Sequence, residues 1–275
     1  FWLSVVEGEV FSVGLSLTDV VYEVVGGVAR ITINRPEKYN AFREETLDDL
    51  ISAFSAAEAD RSVGVIVLTG AGEKAFCSGG DIAWEDASDP AGAARMNRRT
   101  SNLSLIMRGC GKPIIARVRG YAVGGGNELQ MLCDLTVASD DSKFGQSGPK
   151  MGSVPVWWGT QLLPRIVGER RAREIVMLCE QIPAPEAVTL GLINKSVPVE
   201  DLDAAVDQWC ERLLSLSPQA LRVAKISLNF ESDQLWPAVQ HGQQMINFIH
   251  GTDEFHEGTR AFLEKRSPDF AQFRK

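Results

Sequence analysis

Gly120-Tyr121-Ala122-Val123-Gly124-Gly125-Gly126-Asn127-Glu128-Leu129 follows the apolar run Pro113-Ile114-Ile115-Ala116-Arg117-Val118 and leads directly into a helical pattern. The same grammar occurs earlier. Val63-Gly64-Val65-Ile66-Val67-Leu68 is followed by Ala75-Phe76-Cys77-Ser78-Gly79-Gly80-Asp81. Glycine lets the backbone turn tightly and approach another chain or a ligand closely. The first N–H groups of a helix have no intrahelical acceptor and attract negative charge. Two such loops can offer one N–H each to a single carbonyl oxygen, which is the arrangement that stabilises an oxyanion on a thioester or ketone.

Outward from these loops, residues 20–25 and 28–34 read as two strands around Gly26-Gly27, a hairpin signal that Pro36 ends. Residues 44–59 carry Leu47, Leu50, Ile51 and Phe54 at helical spacing. Strands are expected at 63–69 and 113–118, and a helix at 97–107. The Asp, Ala, Ser, Pro and Gly of residues 86–94 suggest a mobile loop between them. Beyond Val154 the pattern is mainly helical, with helices expected at 159–167, 170–179, 184–190, 202–214, 218–229 and 235–248. Strand–strand–helix alternation implies an α/β chain of repeated ββα turns, with helices packed on sheets.

Composition bounds the function. The chain has 275 residues, 44% hydrophobic and 23% charged, which suits one large core with a small appendage. Its formal net charge is −8 and it contains no basic block, so nucleic acid is not an expected partner. The five cysteines are scattered without metal-ligand spacing, and free thiols in a reducing cytoplasm are expected. The three histidines, His241, His250 and His256, show no ligand spacing, so no metal site is read. The apolar N-terminus has no Lys or Arg before Arg30, unlike the basic start of a signal peptide. No apolar run is long enough for a membrane span.

Several ordered motifs resemble the crotonase, or enoyl-CoA hydratase/isomerase, superfamily. They are Ile33-Asn34-Arg35-Pro36-Glu37-Lys38-Tyr39-Asn40-Ala41-Phe42, Ser78-Gly79-Gly80-Asp81, Gly124-Gly125-Gly126, Cys133-Asp134-Leu135 and Phe144-Gly145-Gln146. The resemblance implies a crotonase-type ββα superhelix with a C-terminal helical trimerisation region. It divides the chain into an N-terminal extension (1–19), a ββα core (20–200) and a helical oligomerisation region (201–275). It also implies a homotrimer or hexamer, an acyl-CoA substrate and no tightly bound cofactor.

By the same resemblance Gly80 and Gly125 supply the oxyanion-hole N–H groups. Glu128 occupies the position of one of the two catalytic glutamates of hydratases, where it can activate water. The second glutamate would fall at Gly148 and is absent, which weakens an ordinary two-glutamate hydratase and argues more strongly against a Δ3,Δ2 isomerase, whose base lies there. Gly145-Gln146-Ser147-Gly148-Pro149-Lys150-Met151-Gly152-Ser153 and the ending Phe262 to Phe270 instead resemble dihydroxynaphthoyl-CoA synthase and ketocyclohexane-carboxyl-CoA hydrolases. In one synthase class the small residue at 148 leaves room for a bicarbonate base. That branch has an aromatic residue and an Asp where this chain has Val154 and Pro155, and a Tyr where it has His250. Ser153-Val154-Pro155 and Gly159-Thr160-Gln161 resemble ordinary hydratases.

The resemblance further implies coenzyme A contacts from Lys38, from Ser78, Asp81 and Ile82, and from Phe262 and Lys265 of a neighbouring protomer. Ser147 and Ser153 are candidates for the acyl group, with Ser153 equally suited to capping a turn. His250 is a candidate acid–base group. Trp84, Trp157 and Trp158 are candidate walls for a bulky or cyclic acyl group. Hydration of such an enoyl-CoA is the leading expectation. The alternatives are ring closure or ring-opening hydrolysis of a β-keto acyl-CoA, and a catalytically weak CoA-binding homologue.

Overall fold

The computed structural model describes residues 15–274, so most of the expected 1–19 extension lies outside the described residues. Strands β1 (Val20–Val25) and β2 (Val28–Ile33) form the expected antiparallel hairpin. Gly26 and Gly27 both take positive φ (58° and 84°), the requirement of a two-residue turn whose twist matches its strands. Helix α1 (Glu44–Ala59) buries Leu47, Leu50 and Phe54, the residues whose spacing announces it.

Strand–strand–helix units then repeat. The first comprises β3 (Val65–Gly70), β4 (Ala75–Cys77), α2 (Ile82–Ala87) and α3 (Pro90–Gly109). The second comprises β5 (Ile114–Val118), β6 (Tyr121–Val123) and α4 (Gly125–Met131). A third begins with β7 (Leu135–Ser139) and β8 (Lys143–Gly145). It continues through α5 (Gly159–Val167), α6 (Glu169–Leu178), β9 (Gln181–Pro183), α7 (Ala184–Thr189) and β10 (Lys195–Val197). Helices α8 (Leu202–Leu214), α9 (Pro218–Asp233), α10 (Trp236–Ile249) and α11 (Asp253–Leu263) complete the chain.

The first strand of each unit joins a six-stranded sheet, ordered β1-β2-β3-β5-β7-β10, and the second joins a four-stranded sheet, ordered β4-β6-β8-β9. Apart from the β1–β2 and β8–β9 pairs, neighbours run parallel. The two sheets therefore advance together, one ββα turn at a time. Strand β3 is buried on both faces, which accounts for its unbroken apolar run. Ile66 and Leu68 join the large core with Leu47 and Phe54, whereas Val65 and Val67 meet Leu202 and Val206 of α8.

Residues 86–94 end α2 and begin α3, with only Ser88 and Asp89 between the two helices, and are not the expected mobile loop. Asp89 accepts the Gly92 N–H at 2.7 Å and caps α3, and Pro90 stands in its first turn, where its missing N–H costs nothing. The residues that suggest a loop are here a helix start. The short strands β9 and β10 and the helix α11 add to the helical pattern read beyond Val154. The five cysteines are free. No helix among the described residues is long and apolar enough to cross a membrane.

Candidate active site

The motif from Ile33 to Phe42 braces the first glycine loop. Asn40 donates to Ala71 O (2.9 Å) and Ala75 O (2.7 Å) and accepts the Arg35 N–H (3.0 Å). Arg35 in turn holds Asp81, with Nη2 2.9 Å from Oδ2. Phe42 bridges the loop directly. Its N–H donates to Gly79 O and its carbonyl accepts the Asp81 N–H, both at 2.8 Å. These bonds use the groups flanking Gly80 and leave the Gly80 N–H with no backbone acceptor among the described residues.

The second loop ends at Gly124, whose φ of 56° and ψ of −129° suit glycine alone and aim the chain into α4. Gly125 opens that helix, and its N–H has no backbone acceptor either. The two loops touch, since a Cβ added to Gly79 would lie 3.0 Å from Gly125 N. Both border one cavity, whose walls include Gly80, Gly125 and Glu128.

Glu128 sits one turn into α4 and is buried. Its Oε1 accepts the Gly159 N–H at 3.0 Å. Burial pushes this carboxyl well above the ordinary value of 4.5, opposed by hydrogen bonds from the Gly159 and Trp157 backbone. A second carboxyl, unanticipated from the sequence, lines the same cavity. Glu85 projects from α2 towards Gly80, where an added Cβ would overlap its Oε1. Burial, then the nearby Asp81 charge, push Glu85 up to about 7. Gln146 is the other unanticipated group, lining the cavity at 1% exposure with both side-chain amide atoms unpartnered.

Ser78, Ile82, Ser147, Ser153 and His250 also reach this cavity. The buried Nδ1 of His250 has no partner among the described residues, and its ring packs 4.4 Å from Phe255. Burial, with the neighbouring His256, holds His250 below the ordinary 6.5, so it is neutral near pH 7. Trp84, Trp157, Met96 and Ile246 all line the cavity walls. The Trp157 indole is fixed by donation to Thr100 O (3.0 Å) and Ser104 Oγ (2.7 Å).

Other expected residues stand elsewhere. Trp158 is buried outside this cavity, 4.6 Å from the Arg108 guanidinium and stacked near Trp236, so it does not wall the acyl site. The Asp81 carboxylate is spent on Arg35 and on capping α2 through the Ala83 N–H (3.2 Å), not on the cavity. Lys38 is exposed on a 3₁₀ turn (Pro36–Lys38). Phe262 and Lys265 are exposed and line no part of this chain's cavity. Gly148 does border it, but a Cβ there would meet Val154 Cα at 2.9 Å and Ser153 O at 3.0 Å.

The family model for enoyl-CoA hydratase/isomerase matches residues 23–274. The chain belongs to this family. Among solved structures, it resembles an enoyl-CoA hydratase/isomerase from Xanthobacter autotrophicus Py2 at 32% identity, over 94% of this chain and 100% of that one, with a TM-score of 0.81. An enoyl-CoA hydratase from Mycobacterium avium subsp. paratuberculosis K-10 matches at 29% identity, over 92% and 99% of the two chains, with a TM-score of 0.83. The fold is that of the crotonase superfamily, and the chain is an acyl-CoA enzyme of that superfamily.

Proposed function

We propose that this crotonase hydrates an enoyl-CoA with a bulky or cyclic acyl group, or runs the reverse dehydration. The observation that carries this reading is the buried Glu128 carboxyl in the same cavity as the unpaired N–H groups of Gly80 and Gly125. The thioester oxygen accepts from both glycines, which draws electron density off the double bond. Glu128, as carboxylate, takes a proton from water while the water oxygen bonds the β-carbon. The Gly159 N–H holds the anionic carboxyl in position. The enolate charge is delivered to fixed donors that need no reorganisation. Trp84, Trp157 and Met96 give the acyl group apolar walls, which supports a bulky or ring-bearing substrate.

The ring-closing alternative draws no support from Gly148, because backbone of Ser153 and Val154 fills the space that a base at this position would use. Two carboxyls in one cavity, both held above the ordinary carboxyl value, argue against a catalytically weak homologue. Coenzyme A phosphates would be held by Lys38 and by Lys265 of a neighbouring protomer. Residues 201–275 would form the oligomerisation region of a cytoplasmic trimer or hexamer. A panel of enoyl-CoA and β-keto acyl-CoA thioesters tests the chemistry. Loss of the enoyl-thioester absorbance supports hydration. Release of free acid or a new ring overturns it.

A further inference from the structure

Glu85 is unexplained by the roles given so far. It is not a surface carboxylate: it lines the cavity beside Gly80 and takes part in no ion pair or hydrogen bond through its side chain among the described residues. The other acids nearby are committed. Asp81 is bound to Arg35, and Asp86 accepts from Thr259 (2.5 Å) and lies 3.2 Å from His256 Nδ1 on α11. The titratable groups sharing the cavity with Glu85 are Glu128 on α4 and His250 after α10. Among the described residues no lysine or arginine lines it, and Arg260 on α11 acts on Asp86. No described residue neutralises Glu85, and Asp81 opposes its ionisation. Gln146 turns its own unpartnered amide to the same space.

We propose that Glu85 is the second catalytic carboxyl, supplied from α2 where the chain has glycine at 148, and that it delivers the proton to the α-carbon. The inference rests on the hydration reading above. Gly80 binds the thioester oxygen, so a group lying against Gly80 is on the carbonyl side of the acyl chain, next to the α-carbon. Glu128 is held instead at the Gly159 N–H, one turn beyond Gly125, and serves the water. The step balances. Water gives a proton to Glu128 and its oxygen bonds the β-carbon. The double-bond pair shifts to form the enolate, and that pair then takes the Glu85 proton at the α-carbon. Glu85 is left as carboxylate and Glu128 as acid, and proton exchange with solvent resets both.

The productive form carries one proton on the two carboxyls, so the pH profile of kcat/KM is bell-shaped. At the acid limb both carboxyls are protonated, no base remains, and activity falls as pH falls; Glu85 titrates at about 7, so one limb lies there. At the upper limb the last proton leaves and no donor remains. Glu85→Gln removes one titrating group and with it the limb near 7.

The test compares wild type, Glu85→Gln and Glu128→Gln on whichever enoyl-CoA the wild type hydrates, with thermal melts of each. Glu85→Gln is expected to lose ~10²–10⁴-fold in kcat, with KM changed by less than about fivefold and the limb near pH 7 absent. A purely structural role would leave that limb in place. If the Gln variant does not fold, Glu85→Asp decides: a displaced limb supports the role and an unchanged limb overturns it. A Glu85→Gln enzyme within about threefold of wild type, alongside an inactive Glu128→Gln, overturns the inference and leaves the hydration reading standing. A wild-type enzyme that hydrates no enoyl-CoA overturns both.

Discussion

Replacing Glu85 by Gln should stabilise the protein at high pH and not at low pH. The native carboxyl titrates at about 7 against an ordinary 4.5, because burial and Asp81 disfavour its charge. The folded state therefore holds this proton more tightly than the unfolded chain. Below 4.5 both states are protonated and the site is neutral in its effect. As pH rises from 4.5 to about 7, the unfolded chain ionises first and stability is lost. That interval, at about 1.36 kcal/mol per pH unit, corresponds to on the order of 3 kcal/mol lost by pH 8. Glutamine has the same shape but no charge to desolvate. Its own cost as a buried amide is the same at both pH values, so it cancels in the comparison. Denaturant unfolding of wild type and variant at about pH 4.5 and pH 8 measures the difference. The variant should gain about 2–3 kcal/mol relative to wild type on going from the lower to the higher pH. An identical pH dependence in the two proteins would refute the burial argument for Glu85.

Two further outcomes follow from the same geometry. Gly125→Pro removes the N–H while suiting the first position of α4, whereas Gly125→Ala keeps the N–H and brings the same Cβ within 2.7 Å of Phe42 Cζ. The Pro variant should fall ~10²–10³-fold below the Ala variant in kcat; equal rates would remove Gly125 from the oxyanion site. The apolar side chains of Val223, Ile226, Leu228 and Phe230 stand 60%, 53%, 81% and 69% exposed on α9, a surface that a trimer or hexamer would cover. Light scattering should show an assembly that Leu228→Glu with Phe230→Glu dissociates, and a monomeric wild type at micromolar concentration would contradict it.

The parts of the fold legible in the sequence are those with local causes. The β3 run, the hairpin glycines and the spacing of Leu47, Leu50 and Phe54 each report their own element. The glycine loops were readable because a close approach leaves few residue types possible. The region from Ile82 to Ala94 was not, since Asp, Ser, Pro and Gly serve loops and helix starts alike. Asp81 and Asp89 as caps, with Pro90 one residue on, were the available signal. Glu85 is illegible for the same reason, since its approach to Gly80 follows from α2. The fate of Asp81 depends on Arg35 on an earlier segment, and that of Trp158 on Arg108 and Trp236; no local pattern encodes such pairings.

The central claim is that Glu128 activates water, and water addition by Glu128→Gln tests it most directly. The amide keeps the shape and can still hydrogen-bond, but it cannot take a proton. Wild type should add water to an enoyl-CoA, and the variant should lose ~10²–10⁴-fold in kcat while binding the acyl-CoA within a few fold of wild type. A Glu128→Gln enzyme that retains full turnover, and whose rate instead depends on added bicarbonate, would contradict the account and favour the ring-closing chemistry.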